Sequence, residues 1–190
     1  MMRNGLLILL VTFAYCDRSY TPKPAGYLKV HYPEKEYVLF DDAGPYSFEY
    51  PVYAEVRPHI SRTSEPWWYD VRFPEYDGTL HLSFRDPEGD PSALIEDTRT
   101  LVYKHASRSD GINEIPFVDT ARDKYGILYE LRGDVASAVQ FFLTDSTRHF
   151  LRGALYFNTA PNRDSLNPVI NFVQEDIVHL VESVQWKNND

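Results

Sequence analysis

Apolar and polar positions change period along this chain, and the changes mark its elements. Residues 46–50 alternate around Phe48, and Pro51 interrupts before a second short run over 52–56. Pro51 and Pro58 place these runs at a sheet edge or a bulge, since proline donates nothing to a ladder. Residues 67–73 predict a strand with Trp67, Tyr69, Val71 and Phe73 on one face. Trp67 and Trp68 would then point to opposite faces. In 79–84, Leu80, Leu82 and Phe84 face inward while His81 and Ser83 face outward. The period then lengthens. Asp90 and Pro91 supply a cap and a first helical position. Leu94, Thr98, Leu101, Val102 and His105 follow at helical spacing, a helix of about four turns. It stops at the turn signal over 109–111.

The second half predicts a meander of strands over 112–118, 125–132, 138–144 and 150–157. Asp145, Ser146 and Thr147 turn the last two into a hairpin. A polar loop over 158–165 leads to Asn167 and Pro168, read as a second cap and first helical position. Ile170, Val173, Ile177, Leu180, Val181 and Val184 then form an amphipathic stripe. The expected fold is α+β, a largely antiparallel sheet with two main helices packed on it. The order of elements resembles the PsbP/Mog1-type sandwich, a likeness at the level of fold alone. No repeat or internal linker divides 34–190, which is expected to be a single domain, with 34–37 packing on its surface.

The N-terminus follows a different rule. Arg3 precedes an apolar run from Leu6 to Ala14, broken only by Thr12. Such a run is too short to span a bilayer, which takes about twenty residues. It matches the apolar region of a secretory signal instead. The run ends at Cys16, the chain's single cysteine, where a lipoprotein signal would receive its diacylglycerol. Tyr15 departs from the small residue usual before that cysteine. Residues 1–15 are therefore expected to be a lipoprotein signal peptide. Residues 16–33, with Pro22, Pro24 and Gly26, are expected to be a lipid-anchored tether and extended segment.

Composition narrows the function. Of 190 residues, 43% are hydrophobic and 25% charged, as in a globular protein. Fourteen Tyr and eleven Phe favour a β-rich body. The net charge of −9 repels a phosphate backbone, so nucleic acid is set aside as a partner. Anionic headgroups repel it equally, so contact with a membrane needs the lipid.

Fingerprints of common enzymes are missing: there is no Gly-rich phosphate loop, no G-x-S-x-G elbow and no H-E-x-x-H. Ser146 and His149, with Asp145 adjacent, are the best remaining catalytic cluster, a possible hydrolase site. A serine nucleophile needs a base within about 3 Å and an acid to orient that base. Asp and Ser at a turn, however, bond to backbone amides by default, and that use is expected here. Glu175 or Asp176 with His179 could offer two metal ligands on one helix face, where a site needs three or four. A plain acid–histidine pair is the expected outcome. His31, His59, His81 and His105 have no informative partner spacing. No metal or cofactor is expected.

The pair Trp67 and Trp68 is the stronger lead, since exposed Trp anchors protein interfaces. A stacking platform for glycan is the competing use.

The segments Thr21-Pro22-Lys23-Pro24-Ala25-Gly26-Tyr27, Phe48-Glu49-Tyr50-Pro51, Glu65-Pro66-Trp67 and Leu94-Ile95-Glu96-Asp97-Thr98-Arg99 carry a resemblance. So do Tyr103-Lys104-His105, the run from Gln140 to Ser146, and the run from His149 to Asn158. In these the chain is similar to the gliding motility lipoprotein GldD family of Bacteroidota, from the lipid cysteine to Trp186. The resemblance implies a cell-envelope lipoprotein serving gliding motility and linked to type IX secretion. It supplies no catalytic residues, and only lipidation carries over, onto Cys16. The expectation is therefore a non-enzymatic accessory or assembly factor. It would be lipid-anchored to a membrane, the periplasmic face of the outer membrane, and would bind other gliding and secretion proteins of the envelope. Trp67, Trp68, Asp145, Ser146, His149 and Arg152 are the candidate contact residues.

Overall fold

A computed structural model describes residues 32–106, 109–159 and 163–187. Cys16, the signal peptide and the tether up to residue 31 lie outside the described residues. Ten strands, two α-helices and a single 3₁₀ turn over Pro74–Tyr76 make up the regular structure of the described residues: β1 Tyr37–Phe40, β2 Tyr46–Pro51, β3 Glu55–Pro58, β4 Tyr69–Phe73, β5 Gly78–Arg85, α1 Ser92–Ala106, β6 Gly111–Asp119, β7 Lys124–Arg132, β8 Val139–Thr144, β9 Phe150–Phe157, α2 Arg163–Ser183 and β10 Gln185–Trp186.

The strands form two sheets. Seven run in the order β3-β4-β5-β9-β8-β7-β6, and three in the order β1-β2-β10. Every pairing is antiparallel. The fold is α+β, as the alternation and the two helical stripes imply.

Both faces of the large sheet are covered, but not equally. On one face Tyr69, Val71, Leu80, Leu82, Phe141, Leu143, Leu151 and Leu155 pack against Phe48 of β2 and against Val173, Ile177, Leu180 and Val181 of α2. Each of these helix side chains stabilises by about 1.5–3 kcal/mol when fully buried. On the other face Val102 of α1 packs with Tyr129, Leu131, Phe142 and Phe150. Strand β8 lies under both layers, so all six of its residues are buried. Strands β4 and β5 are covered on one face only, and keep the alternation of a half-buried antiparallel strand. Gly153 is required where β9 crosses under Phe141, because a Cβ there would lie 2.2 Å from the ring.

Several expectations need correction. Residues 34–37 are not surface packing alone. Lys35 Nζ donates to the Phe172 carbonyl and to Asp176, and Tyr37 opens β1 and donates to the same Asp176. Helix α2 begins at Arg163, so Pro168 lies inside it rather than at its first position. Proline there forfeits one bond to the preceding turn, a local loss that the buried stripe outweighs. Strand β4 begins at Tyr69, so neither tryptophan belongs to it.

Buried Lys124 closes the far end of α2. Its ammonium donates to the carbonyls of Val181, Glu182 and Val184 at 2.8–2.9 Å. Those carbonyls have no partner within the helix, and a cation there also suits the helix dipole. Burial, with nearby Arg122, pushes the Lys124 amine down to about 8.

Candidate functional site

The candidate site begins with an unusual backbone. Trp67 has φ of 67°, a left-handed conformation costing a non-glycine residue roughly 1–2 kcal/mol. Two contacts hold it. Tyr46 donates its phenol to the Trp67 carbonyl at 2.9 Å. The Trp67 ring lies over Gly44, where a Cβ would come within 3.0 Å of it. The next residue, Trp68, donates its indole N–H to the Phe84 carbonyl at 2.8 Å. Its ring lies 5.7 Å from the Arg85 guanidinium. Both tryptophans are half-buried against the main core. The expectation of opposite strand faces is therefore overturned: the left-handed turn at Trp67, not strand pleat, separates the two rings.

The β8–β9 hairpin supplies the other wall. Asp145 Oδ1 accepts from the amides of Thr147, Arg148 and His149, each at 2.9 Å. Its Oδ2 accepts the His149 Nδ1 proton at 2.6 Å. Burial alone would raise this carboxyl, but the ring and the amides outweigh it and hold it at about 2. Ser146 sits exposed at the tip with φ of 70°, its amide on the Thr144 hydroxyl. Among the described residues its hydroxyl makes no hydrogen bond to His149, whose imidazole is instead buried, stacked on Trp186 and tilted against Phe84.

Sequence reasoning proposed Trp67, Trp68, Asp145, Ser146, His149 and Arg152 as contact residues, the tryptophans on one strand and the rest on a hairpin, without relating the two groups. Trp67 and His149 face a single cleft of about 320 Å³, with Phe84, Arg85, Arg148 and Lys187 on its walls and rim. Trp68 and Arg152 line a second groove of about 320 Å³ against α1. Arg85 borders both. Arg152 donates to Gln140 at 2.9 Å. Its Nε is buried without a hydrogen-bond partner among the described residues, as is Gln140 Nε2. Ser146 and Asp145 shape the turn but line neither depression.

The α2 acid–histidine pairs are also settled. His179 bonds Glu49 on β2 at 2.7 Å and stacks on Tyr37, with centroids 3.6 Å apart. Asp176 is buried and takes Lys35, Tyr37 and Tyr53. Neither acid on α2 pairs with His179. A different histidine pair was missed. His59 and His81, given no partner from spacing, both place Nδ1 on Asp70 Oδ1, at 2.8 and 2.6 Å. Outward positions of adjacent predicted strands could have flagged Asp70 and His81; nothing in the sequence marked His59.

Among solved structures, the chain is similar to the solution structure of cyanobacterial PsbP (CyanoP) from Synechocystis sp.. Identity is 12% and the TM-score 0.46, over 86% of this chain and 99% of that one. No curated protein matches the sequence. Residues 17–186 match the family described as gliding motility lipoprotein GldD, and that span takes in every element described above. The chain belongs to the gliding motility lipoprotein GldD family.

Proposed function

We propose that this gliding motility lipoprotein is a non-enzymatic assembly factor that also serves type IX secretion. A lipid on Cys16 holds it at the periplasmic face of the outer membrane. Its folded domain binds other envelope proteins through the Trp67–His149 cleft. Anchoring confines both partners to a surface and raises their effective concentration.

The observation that carries this reading is the cleft's construction. Its lining joins Trp67, Phe84 and His149 to charges of both signs, Arg85, Arg148 and Lys187 with Glu65 and Asp86, and Arg85 pairs with Glu65 at 2.9 Å. Trp67 is held in a strained conformation beside it, and strain of this kind persists where surrounding contacts over-determine it. An open aromatic cleft bordered by charges of both signs suits an apolar or aromatic side chain flanked by polar groups. Trp and Arg are also the residue types that dominate interface energetics. A serine nucleophile has no support here. Asp145 bonds His149 and the amides of the turn, but among the described residues Ser146 makes no hydrogen bond to that imidazole.

The test is a detergent pull-down of the tagged, full-length protein from its native envelope, with bound proteins identified by mass spectrometry. Gliding and secretion proteins are expected with the wild type and are expected to be lost with the double variant Arg85→Glu, Arg148→Glu. Equal recovery by both would remove the cleft as the binding surface. Recovery of the bait alone would remove the assembly role.

A further inference from the structure

His59, Asp70 and His81 stand apart from the cleft, on the outer face of the β3–β4–β5 end of the large sheet. We infer that these three side chains form a binding site for a divalent transition-metal ion, with coordination positions left open to solvent.

The scaffold brings them together by register. Asp70 on β4 and His81 on β5 are direct cross-strand partners. Facing residues of an antiparallel pair carry their Cβ atoms about 5 Å apart. His59 follows β3, and its amide donates to the Trp68 carbonyl at 2.9 Å, which sets it beside the same strand. All three side chains therefore leave the sheet on the face away from the main core. The second core, under α1, takes no residue from β3, β4 or β5.

Their ligand atoms converge. Both Nδ1 atoms lie on one oxygen of Asp70, and one ligand atom from each residue fits within 4.8 Å of the others. Ions such as Zn²⁺ bind imidazole nitrogen and carboxylate oxygen at about 2.0–2.2 Å. Ligand atoms placed tetrahedrally around such an ion stand about 3.3 Å apart. The two nitrogen–oxygen separations, 2.8 and 2.6 Å, need to open by about half an ångström to admit the ion, a shift within the reach of side-chain rotation. Two neutral imidazoles and one carboxylate are the donor set of open transition-metal sites, and too few for a closed structural one. Side-chain exposures of 25%, 20% and 41% leave one side of the cluster facing solvent. Neighbouring rings fix the imidazoles. His59 tilts against Trp68 with centroids 6.1 Å apart, and His81 against Tyr156 at 5.7 Å. In the metal-free protein each Nδ1 carries the proton it donates to Asp70. When the ion takes that position, each proton moves to Nε2 and the ring stays neutral.

The experiment uses the full chain in detergent, stripped with a chelator, carrying Cys16→Ser so that a thiol does not compete. Zn²⁺ is titrated by calorimetry, and Co²⁺ by its visible absorption. One saturable equivalent is expected. His81→Ala and Asp70→Asn are each expected to weaken binding at least about tenfold, while His179→Ala leaves it unchanged. Imidazole nitrogen resonances of the Cys16→Ser protein, with the three histidine and aspartate ligands intact, provide a reading independent of any change to them: those of His59 and His81 are expected to move with Zn²⁺. Absence of saturable binding, or binding that ignores both ligand variants, would overturn the inference. So would resonance shifts confined to other histidines.

Discussion

The Trp186 indole lies flat on the His149 imidazole, with centroids 5.1 Å apart and planes 15° from parallel. Trp186 ends the small sheet and His149 immediately precedes β9 of the large one, so one ring pair ties the two sheets beside the cleft. The Trp186 N–H reaches the Asp123 carbonyl as well. Trp186→Ala is expected to cost about 1–3 kcal/mol, below the range for a fully buried aromatic because the ring is half-buried. Thermal melts check it, and a loss below 1 kcal/mol would show that the stack contributes little.

Asp145 and Ser146 separate turn chemistry from catalysis. Asp145→Ala removes four charge-assisted bonds and is expected to destabilise by about 3 kcal/mol. Ser146→Ala is expected to stay within about 0.5 kcal/mol of wild type. Ser146→Gly is expected to stabilise slightly, because φ of 70° suits glycine. Denaturant midpoints of the three variants give the comparison. A catalytic Ser146 would show itself instead as lost activity at unchanged stability.

The same carboxylate sets an acid limit. Its folded pKa of about 2 lies below its ordinary 3.8, so the unfolded chain binds the proton more readily. The stabilisation is complete above about 4 and fades as pH falls through about 2. Wild type and Asp145→Asn are expected to differ most near neutrality and to converge toward pH 2. Curves that stay parallel over that interval would refute it.

Gly153→Ala places a methyl 2.2 Å from the Phe141 ring in the main core. The expected cost is about 1–3 kcal/mol. The double variant Gly153→Ala, Phe141→Leu is expected to recover part of it. A single variant as stable as wild type would mean the strands separate more easily than their packing suggests.

Much of this fold was legible because burial follows period. Strands β4 and β5 alternate since only one face is covered, and the α2 stripe at Val173, Ile177, Leu180 and Val181 recurs with the helical turn. The hairpin at Asp145 was legible from turn chemistry. What escaped depends on distant partners. Trp67 leaves the strand because Tyr46 and Gly44, far back in the chain, hold its backbone left-handed. Strand β1 carries exposed Val38 and Leu39 and is fixed by pairing with β2, which periodicity does not report. The Asp70–His81 pair arises from register, and His59 joins it only through a bond to Trp68.

Asp176 has a mechanical consequence. Tyr32 stacks on the Phe172 ring of α2, Lys35 and Tyr37 after it both bind this one buried carboxylate on the same helix, and Tyr53 grips its other oxygen. Lys35 also rests over the Phe172 ring, 3.9 Å from its centre. Tension drawn through the N-terminal segment therefore meets the body at a helix seated in the core, ahead of the four residue pairs joining β1 to β2. A pull that would peel an edge strand one bond at a time must first unmoor a buried ion pair, so the domain is fastened where a surface-tethered protein is tugged.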